Sequence, residues 1–321
     1  MGLPLDVKDL YRFGKEILKD RDEPVRIAVV VETDAPEALV DAAEEALRPR
    51  TTTGSVDVRM ADEPAATAPA DAAVLLVGSA GEAMVEAARA WRASVTPTTA
   101  LVSGGDGARF AARLGLPLDD VFADEDARFL VGELLAGWLA DRLSDKRLSL
   151  AVNFEFCRRK VAEEIVKTTA MQNAMIGTIA VLPGTDMPLM TANQAKMLLQ
   201  LATAYGQRIG ADRLGELAAV VGGGFLFRAV ARQALTAVPG FGWFVKGGVA
   251  YVGTMSMGRA AIAWFEQGAD LSEVARRIQR RARRSEPVEV EATVLEGEAD
   301  STDESGLVQQ RLELEPADGG S

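Results

Sequence analysis

The sequence predicts an α/β fold, a mainly parallel sheet with helices on both faces, followed by an all-α, glycine-rich helical domain. Two observations carry this. Between Pro24 and Leu143, short apolar runs rich in β-branched residues alternate with helical runs, as expected of strands buried on both faces. Beyond Ser144 the strand signal stops, and apolar residues recur at helical spacing as far as Arg284.

Taken in order, "VRIAVVVE" (25–32) reads as the first strand and "PEALVDAAEEALRP" (36–49) as a helix. "SVDVRMA" (55–61) and "DAAVLLVGS" (71–79) read as strands, "GEAMVEAARAWRAS" (81–94) as a helix and "TTALVSG" (98–104) as a strand. "GARFAARLG" (107–115), "DDVFA" (119–123) and "EDARFLVGELLAGWLADRL" (125–143) add a helix, a strand and a helix. In the second half, 150–182 reads as one long helix and 191–210 as another, closed by Gly210. Two further helices are expected on either side of "VPGFG" (238–242), and a last one over 271–284. Residues 1–23 carry an apolar stripe from Leu5 to Leu18 that suits a short amphipathic helix packed on the body, or one lying at a membrane interface. The expected division is therefore 1–23, an α/β domain over 24–145, a helical domain over 146–284 and an acidic, disordered tail over 285–321. The tail has eleven acidic residues against one arginine and no aromatics.

Composition excludes several chemistries. No histidine is present among the 321 residues, so neither a Ser-His-Asp arrangement nor a His-ligated metal site can be built. Cys157 is the single cysteine, so no intramolecular disulfide forms, and a small buried hydrophobe is its expected role. A net charge of −12 argues against nucleic-acid binding, which needs a basic footprint. No metal and no cofactor is expected, and an enzyme is the less favoured reading. The amino terminus lacks a basic region followed by an apolar one, so no signal peptide is read there.

The order of elements in the first half resembles a small Era-like GTPase domain shortened at its first switch region. The resemblance implies a phosphate loop, G-x-x-x-x-G-K-[ST], after the first strand. Here that turn is "ETDAPEAL", with no glycine or lysine and with Glu32, Asp34 and Glu37 where a polyanion would sit. The guanine-reading N-K-x-D signature is reduced to "SGGD", in which Asp106 alone survives. Asp106 is a weak nucleotide-contact candidate, and an N-cap is its commoner role. The domain is therefore read as a degenerate, P-loop-less relative of the GTPase fold.

In the second half, "CRRKVAEEIVKTTAMQNAMIGTIAVLPGTDMPLMTANQAKMLLQLATAYG" has a basic entry helix, an apolar helix, a P-G-x-D loop, T-x-x-Q-x-x-M and a Y-G ending. Pro183, Gly184, Asp186, Thr191, Gln194, Met197, Tyr205 and Gly206 carry that pattern. Over 157–268 it resembles a bacterial domain of unknown function found behind Era-like GTPase domains and in the YcjF-like membrane protein family. Read physically, Pro183 and Gly184 end a helix, while Asp186 or Thr191 caps the next. Ligand contacts from Asp186 and Gln194 are the alternative.

Whether this half meets lipid is left open by the residues. The longest uncharged runs are 168–185, 217–227, 233–245 and 247–258. Arg228, Arg232, Lys246 and Arg259 interrupt the last three, which favours a buried bundle. Against that, Gly222, Gly223, Gly224, Gly240, Gly242, Gly247, Gly248, Gly253 and Gly258 suit closely packed membrane helices, with Pro239 and Gly240 at a hairpin tip. Arg280, Arg281, Arg283 and Arg284 suit an anionic leaflet, or a solvated helix face offset by the tail. The resemblance weighs towards a peripheral or shallowly inserted protein on the cytoplasmic side of the inner membrane, the alternative being the cytoplasm. The expected function is a non-enzymatic adaptor or scaffold acting through protein partners or self-association of the helical domain. A GTP-binding switch with an unconventional site and a soluble helical oligomerisation module are the alternatives.

Overall fold

A computed structural model describes residues 7–63, 69–179, 186–207 and 242–267. Helix α1 (Val7–Arg21) leads into β1 (Val25–Val31), α2 (Glu37–Ala46), β2 (Gly54–Met60), β3 (Ala72–Val77), α3 (Glu82–Ala93), β4 (Thr98–Ser103), α4 (Gly107–Leu114) and β5 (Val121–Asp124). The five strands form one sheet in the order β2-β1-β3-β4-β5, and every neighbouring pair is parallel. That order is doubly wound: the direction in which successive strands are added to the sheet reverses between β1 and β3.

Side-chain alternation sorts the sheet into two faces. Ile27, Val29, Val31, Val74 and Leu76 pack with α2 and with the helical run over 127–142. Ala28, Val30, Ala73, Leu75 and Val77 pack with α3 and α4. Because β3 is covered on both faces, all six of its residues are buried, and this is why its sequence is an uninterrupted apolar run.

The predicted helix after β5 is composed of α5 (Ala127–Phe129), a π-helical stretch (Leu130–Leu135) and α6 (Ala136–Arg142). The long helix expected over 150–182 is two helices. Helix α7 (Arg147–Asn153) ends before a 3-10 turn at Glu155–Cys157, and α8 (Arg158–Ile179) follows. The cause is a tether to the sheet. The Arg50 N–H donates to the Asn153 carbonyl at 3.0 Å, and the Asn153 side chain bonds Thr51 and Thr53 at 2.7 and 3.0 Å. Phe154 is then extended and fully buried. Cys157 beside it is buried as expected, and burial pushes its thiol pKa well up.

Helix α9 (Asp186–Ala204) starts earlier than expected and stops at Gly206 rather than Gly210. Gly206 takes a left-handed φ of 74°, and the Gln207 N–H reaches back to the Ala202 carbonyl at 2.8 Å, a glycine-terminated cap. The final described helix is α10 (Gly242–Glu266). It packs along α8, and α9 lies against both. Ile17 of α1 is fully buried, Phe13 is partly buried against the same core, and α1 packs on α7 and α9. One cluster of buried side chains runs without a break from the β1 face through α6 into α8, α9 and α10.

Candidate functional site

Two places could carry function: the strand ends where a doubly wound sheet binds ligands, and the polar interior of the helical bundle. At the strand ends, β1 delivers Glu32, which is 8% exposed, into the loop that follows β3. Its Oε2 accepts from the Gly78 and Ala80 N–H groups at 2.8 and 3.0 Å, and its Oε1 from the Gly81 N–H at 2.5 Å. Gly81 is the residue before α3, so the carboxylate also faces the positive end of that helix. Ala80 holds a left-handed φ of 57°, and Arg113 donates to its carbonyl, fixing the turn. A side chain at Gly78 would overlap Asp34. The amides that could cradle a phosphate are therefore already paired with a carboxylate of the chain itself.

Asp34 and Glu37, expected beside Glu32, are both exposed and outside this nest. Asp106 accepts from the Ala108 N–H at 3.0 Å and caps α4, after Gly104 and Gly105 turn with φ of 80° and 88°. No group of three or more His, Cys, Asp or Glu placed to hold a metal exists among the described residues. With its own carboxylate in the cradle, the purified protein should bind neither GTP nor ATP more tightly than millimolar. Calorimetry with magnesium checks this, and a micromolar Kd for either nucleotide would overturn it.

In the bundle, Asn173 of α8, Gln194 of α9 and Thr254 of α10 meet in the interior. Asn173 and Thr254 are fully buried and Gln194 nearly so. The Thr254 hydroxyl accepts from Asn173 Nδ2 at 3.1 Å and from Gln194 Nε2 at 3.0 Å. Asn193 Nδ2 donates to Asn173 Oδ1 at 3.0 Å, extending the seam towards the surface. No member of this seam titrates, so it supplies neither a general base nor an activated nucleophile. It ties three helices together. A buried amide-hydroxyl network of this kind gains strength as surrounding dielectric falls.

The loop motif is thus partly reassigned. Thr191 is a buried residue inside α9, so it is not an N-cap. Gln194 is a seam residue. Asp186 is the first residue of α9, while Pro183 and Gly184 lie outside the described residues. So do Gly222, Gly223, Gly224, Pro239, Gly240, Arg280, Arg281, Arg283 and Arg284. Gly247 is buried against α8, where an added Cβ would lie 2.5 Å from Thr178 Oγ1 and 3.1 Å from the Ala174 carbonyl. Gly248, expected to pack in the same way, faces open space. Its place is taken by Gly258, whose missing side chain makes room for Val166. Gly247, Thr254 and Gly258 recur after seven and four residues. At about 100° per residue this keeps all three on one face of α10. The spacing was present in the sequence, but nothing there marked α8 as the partner.

With Thr191, Gln194 and the glycine stripe placed on one three-helix unit, the comparison with known families can be read. Residues 147–285 match the family model described as Domain of unknown function (DUF697). The C-terminal half therefore carries a domain of unknown function, and α7, α8, α9 and α10 all lie within the DUF697 match. No curated protein and no solved structure matches the chain. Among the described residues, no DUF697 helix or other helix is long and apolar enough to cross a membrane.

Proposed function

We propose that this chain is a non-enzymatic, membrane-associated adaptor or scaffold. In this reading the DUF697 bundle dips one end into a single leaflet, and a sheet that has exchanged nucleotide binding for an internal carboxylate is presented to protein partners on the cytoplasmic side. The likeness of the first half to an Era-like GTPase domain, and of the second to the YcjF-like membrane family, supports the reading.

The observation that carries it is the distribution of charge along the bundle. The first half of α8 bears Arg158, Arg159, Lys160, Glu163, Glu164 and Lys167, whereas 168–179 bears no charge. Residues 187–195 of α9 and 247–258 of α10 are also free of charge, with Asp186 and Lys246 bounding them at the far end. These stretches lie together, because Gly247 touches Thr178 and Thr254 bonds both Asn173 and Gln194. The same end exposes Met171, Met175, Leu189, Val249 and Val252 at 53%, 57%, 58%, 44% and 61%. Asn173, Gln194 and Thr254 point inwards there and are mutually bonded, as hydrocarbon demands, while Gln172, Thr178 and Ser256 stay on the surface. A charge-free stretch like 168–179 rises about 18 Å, close to half of a hydrocarbon core of about 30 Å. It suits one leaflet and not a full span.

Flotation of the full chain with anionic phospholipid vesicles tests this. The wild-type protein should float and should resist a salt wash. Paired substitution of Met175→Glu and Val252→Glu places two carboxylates on the dipping end and should lower the floated fraction at least tenfold, since insertion of one charge costs about 2.5 kcal/mol at full depth. Both positions are exposed, so the circular dichroism spectrum should be unchanged. Undiminished flotation of the double variant, or no flotation of the wild type, would refute the proposal.

A further inference from the structure

The sheet has an open edge at β2. That strand pairs with β1 alone, in an unbroken parallel register from Val25↔Gly54 to Val31↔Met60. Among the described residues no strand pairs with its outer side. Edge strands that must stay single are usually guarded by charged side chains, a proline, a bulge or shortness. Here "GSVDVRM" has seven residues, no proline and no bulge, and its two charges, Asp57 and Arg59, pair with each other. Val58 is 62% exposed and Met60 37% exposed, although both sit on the face that packs Val56.

The hydrogen-bond phase of the edge is set by the β1 ladder. The Val25 N–H donates to the Thr53 carbonyl and the Ala61 N–H to the Val31 carbonyl, both at 2.9 Å. Backbone groups alternate sides along a strand, so odd-numbered positions of β2 face β1. The N–H and C=O of Val56, Val58 and Met60 therefore point outwards. Two such edges placed antiparallel about a two-fold axis at Val58 set Val58 opposite itself, with both its groups available for a hydrogen-bonded pair. Val56 then faces Met60 of the second copy in the same phase.

Charge decides which occupant suits this edge. In that register Asp57 of one copy lies directly opposite Arg59 of the other, in a non-hydrogen-bonded pair, where side chains are closest. Within one chain Arg59 Nε already reaches Asp57 Oδ2 at 2.7 Å, so the two groups share a face and a height above the sheet. Opposite charges flanking the axis attract across it twice, whereas like charges there would have repelled. The edge is complementary to itself in hydrogen bonding, apolar contact and charge.

We propose that β2 is a homodimer edge: two copies of this chain pair antiparallel through Gly54–Met60, about a two-fold axis at Val58, and join their sheets into one. This surface is separate from the bundle end described above and does not depend on lipid.

The test is the molar mass of the full chain in detergent at micromolar concentration, by light scattering after gel filtration, with the detergent contribution subtracted. Wild-type protein should be a dimer. Asp57→Arg sets two cations opposite each other on both sides of the axis and should raise the dimer Kd at least tenfold, giving a monomer. The exchange Asp57→Arg with Arg59→Asp should restore the dimer. Val58→Pro removes an outward N–H and no bond to β1, so it should also give a folded monomer. A monomeric wild-type protein would overturn the proposal. So would a dimer that survives Asp57→Arg and Val58→Pro, since association would then run through another surface, or a charge exchange that fails to restore dimers.

Discussion

Replacing Gly258 with leucine should unfold the helical half, whereas the same change at Gly248, exposed within α10, should leave stability unchanged or raise it by up to about 1 kcal/mol, because glycine is a poor helix residue. A Cβ at Gly258 would stand 2.9 Å from Val166 Cβ and closer still to its two methyl groups. Val166 is 1% exposed and sits within the cluster that joins the sheet to the bundle. As a β-branched residue in a helix it has one strongly preferred rotamer, so it does not swing aside. The collision must be relieved by separating α8 from α10. Overpacking alone costs about 1–3 kcal/mol. Separation would also stretch the bonds that Thr254 makes with Asn173 and Gln194, leaving buried amides unpaired at about 1–3 kcal/mol each. The expected loss exceeds about 3 kcal/mol, a large part of the stability of an ordinary domain. Thermal melts of the two leucine variants check it. Equal melting temperatures would mean that α10 does not pack on α8 through this glycine.

That pair of glycines shows what the sequence alone conveys. Gly247, Gly248 and Gly258 are equally conspicuous as small residues in an apolar run, and the sequence offers all three alike for close packing. The structure turns Gly248 outwards, because the face of α10 is decided by a partner far away in the chain. Asn173 and Thr254 are separated by 81 residues, and no local period links them. In the α/β half the situation is reversed. Strands β1, β3 and β4 are legible because a strand buried on both faces must be almost continuously apolar, whereas the edge strand β2 is largely exposed and mixes Ser55, Asp57 and Arg59 with its apolar residues; the helices between strands are marked by amphipathic spacing. Misreadings fell where tertiary contacts override local preference. Helix propensity runs on past Asn153, but the tether to Arg50, Thr51 and Thr53 breaks the helix there. Similarly, Thr191 has the chemistry of an N-cap, yet α9 begins upstream and carries it into the core.

The carboxylate nest was half legible. A turn reading "ETDAPEAL" said that no phosphate would be held after β1, since three acids stood in place of glycine and lysine. It did not say that one of the three would be the ligand of another loop, which lies 46 residues further on. The remaining two acids stay in water. The nest thus adds occupation to charge: the strand-end amides are already paired with Glu32, beside acids that would repel nucleotide.

Removing that occupant gives the second large effect. Glu32→Ala should destabilise the α/β half by about 3 kcal/mol or more, because three buried or part-buried N–H groups, those of Gly78, Ala80 and Gly81, lose their acceptor at once. Relaxation of the loop offsets only part of the loss. Ala80 sits at a positive φ that a non-glycine residue seldom adopts, and the Arg113 bond to its carbonyl still holds the turn after the carboxylate is gone. Glu32→Gln is the informative control. Its amide oxygen accepts as Oε2 did, from Gly78 and Ala80, but its NH2 group turns a donor towards the Gly81 N–H. It should therefore lose roughly half as much, and a denaturant titration ranking wild type, glutamine and alanine in that order would establish the carboxylate as the ligand of the nest. The alanine variant should also respond to a replacement. Formate or acetate at high concentration carries the same two oxygens into the space left by the side chain, and should raise the melting temperature of Glu32→Ala while leaving that of the wild type unchanged. An alanine variant as stable as the wild type would show that water satisfies those amides equally well. The strand end would then be an open anion site, and the expected failure to bind nucleotide would need another cause.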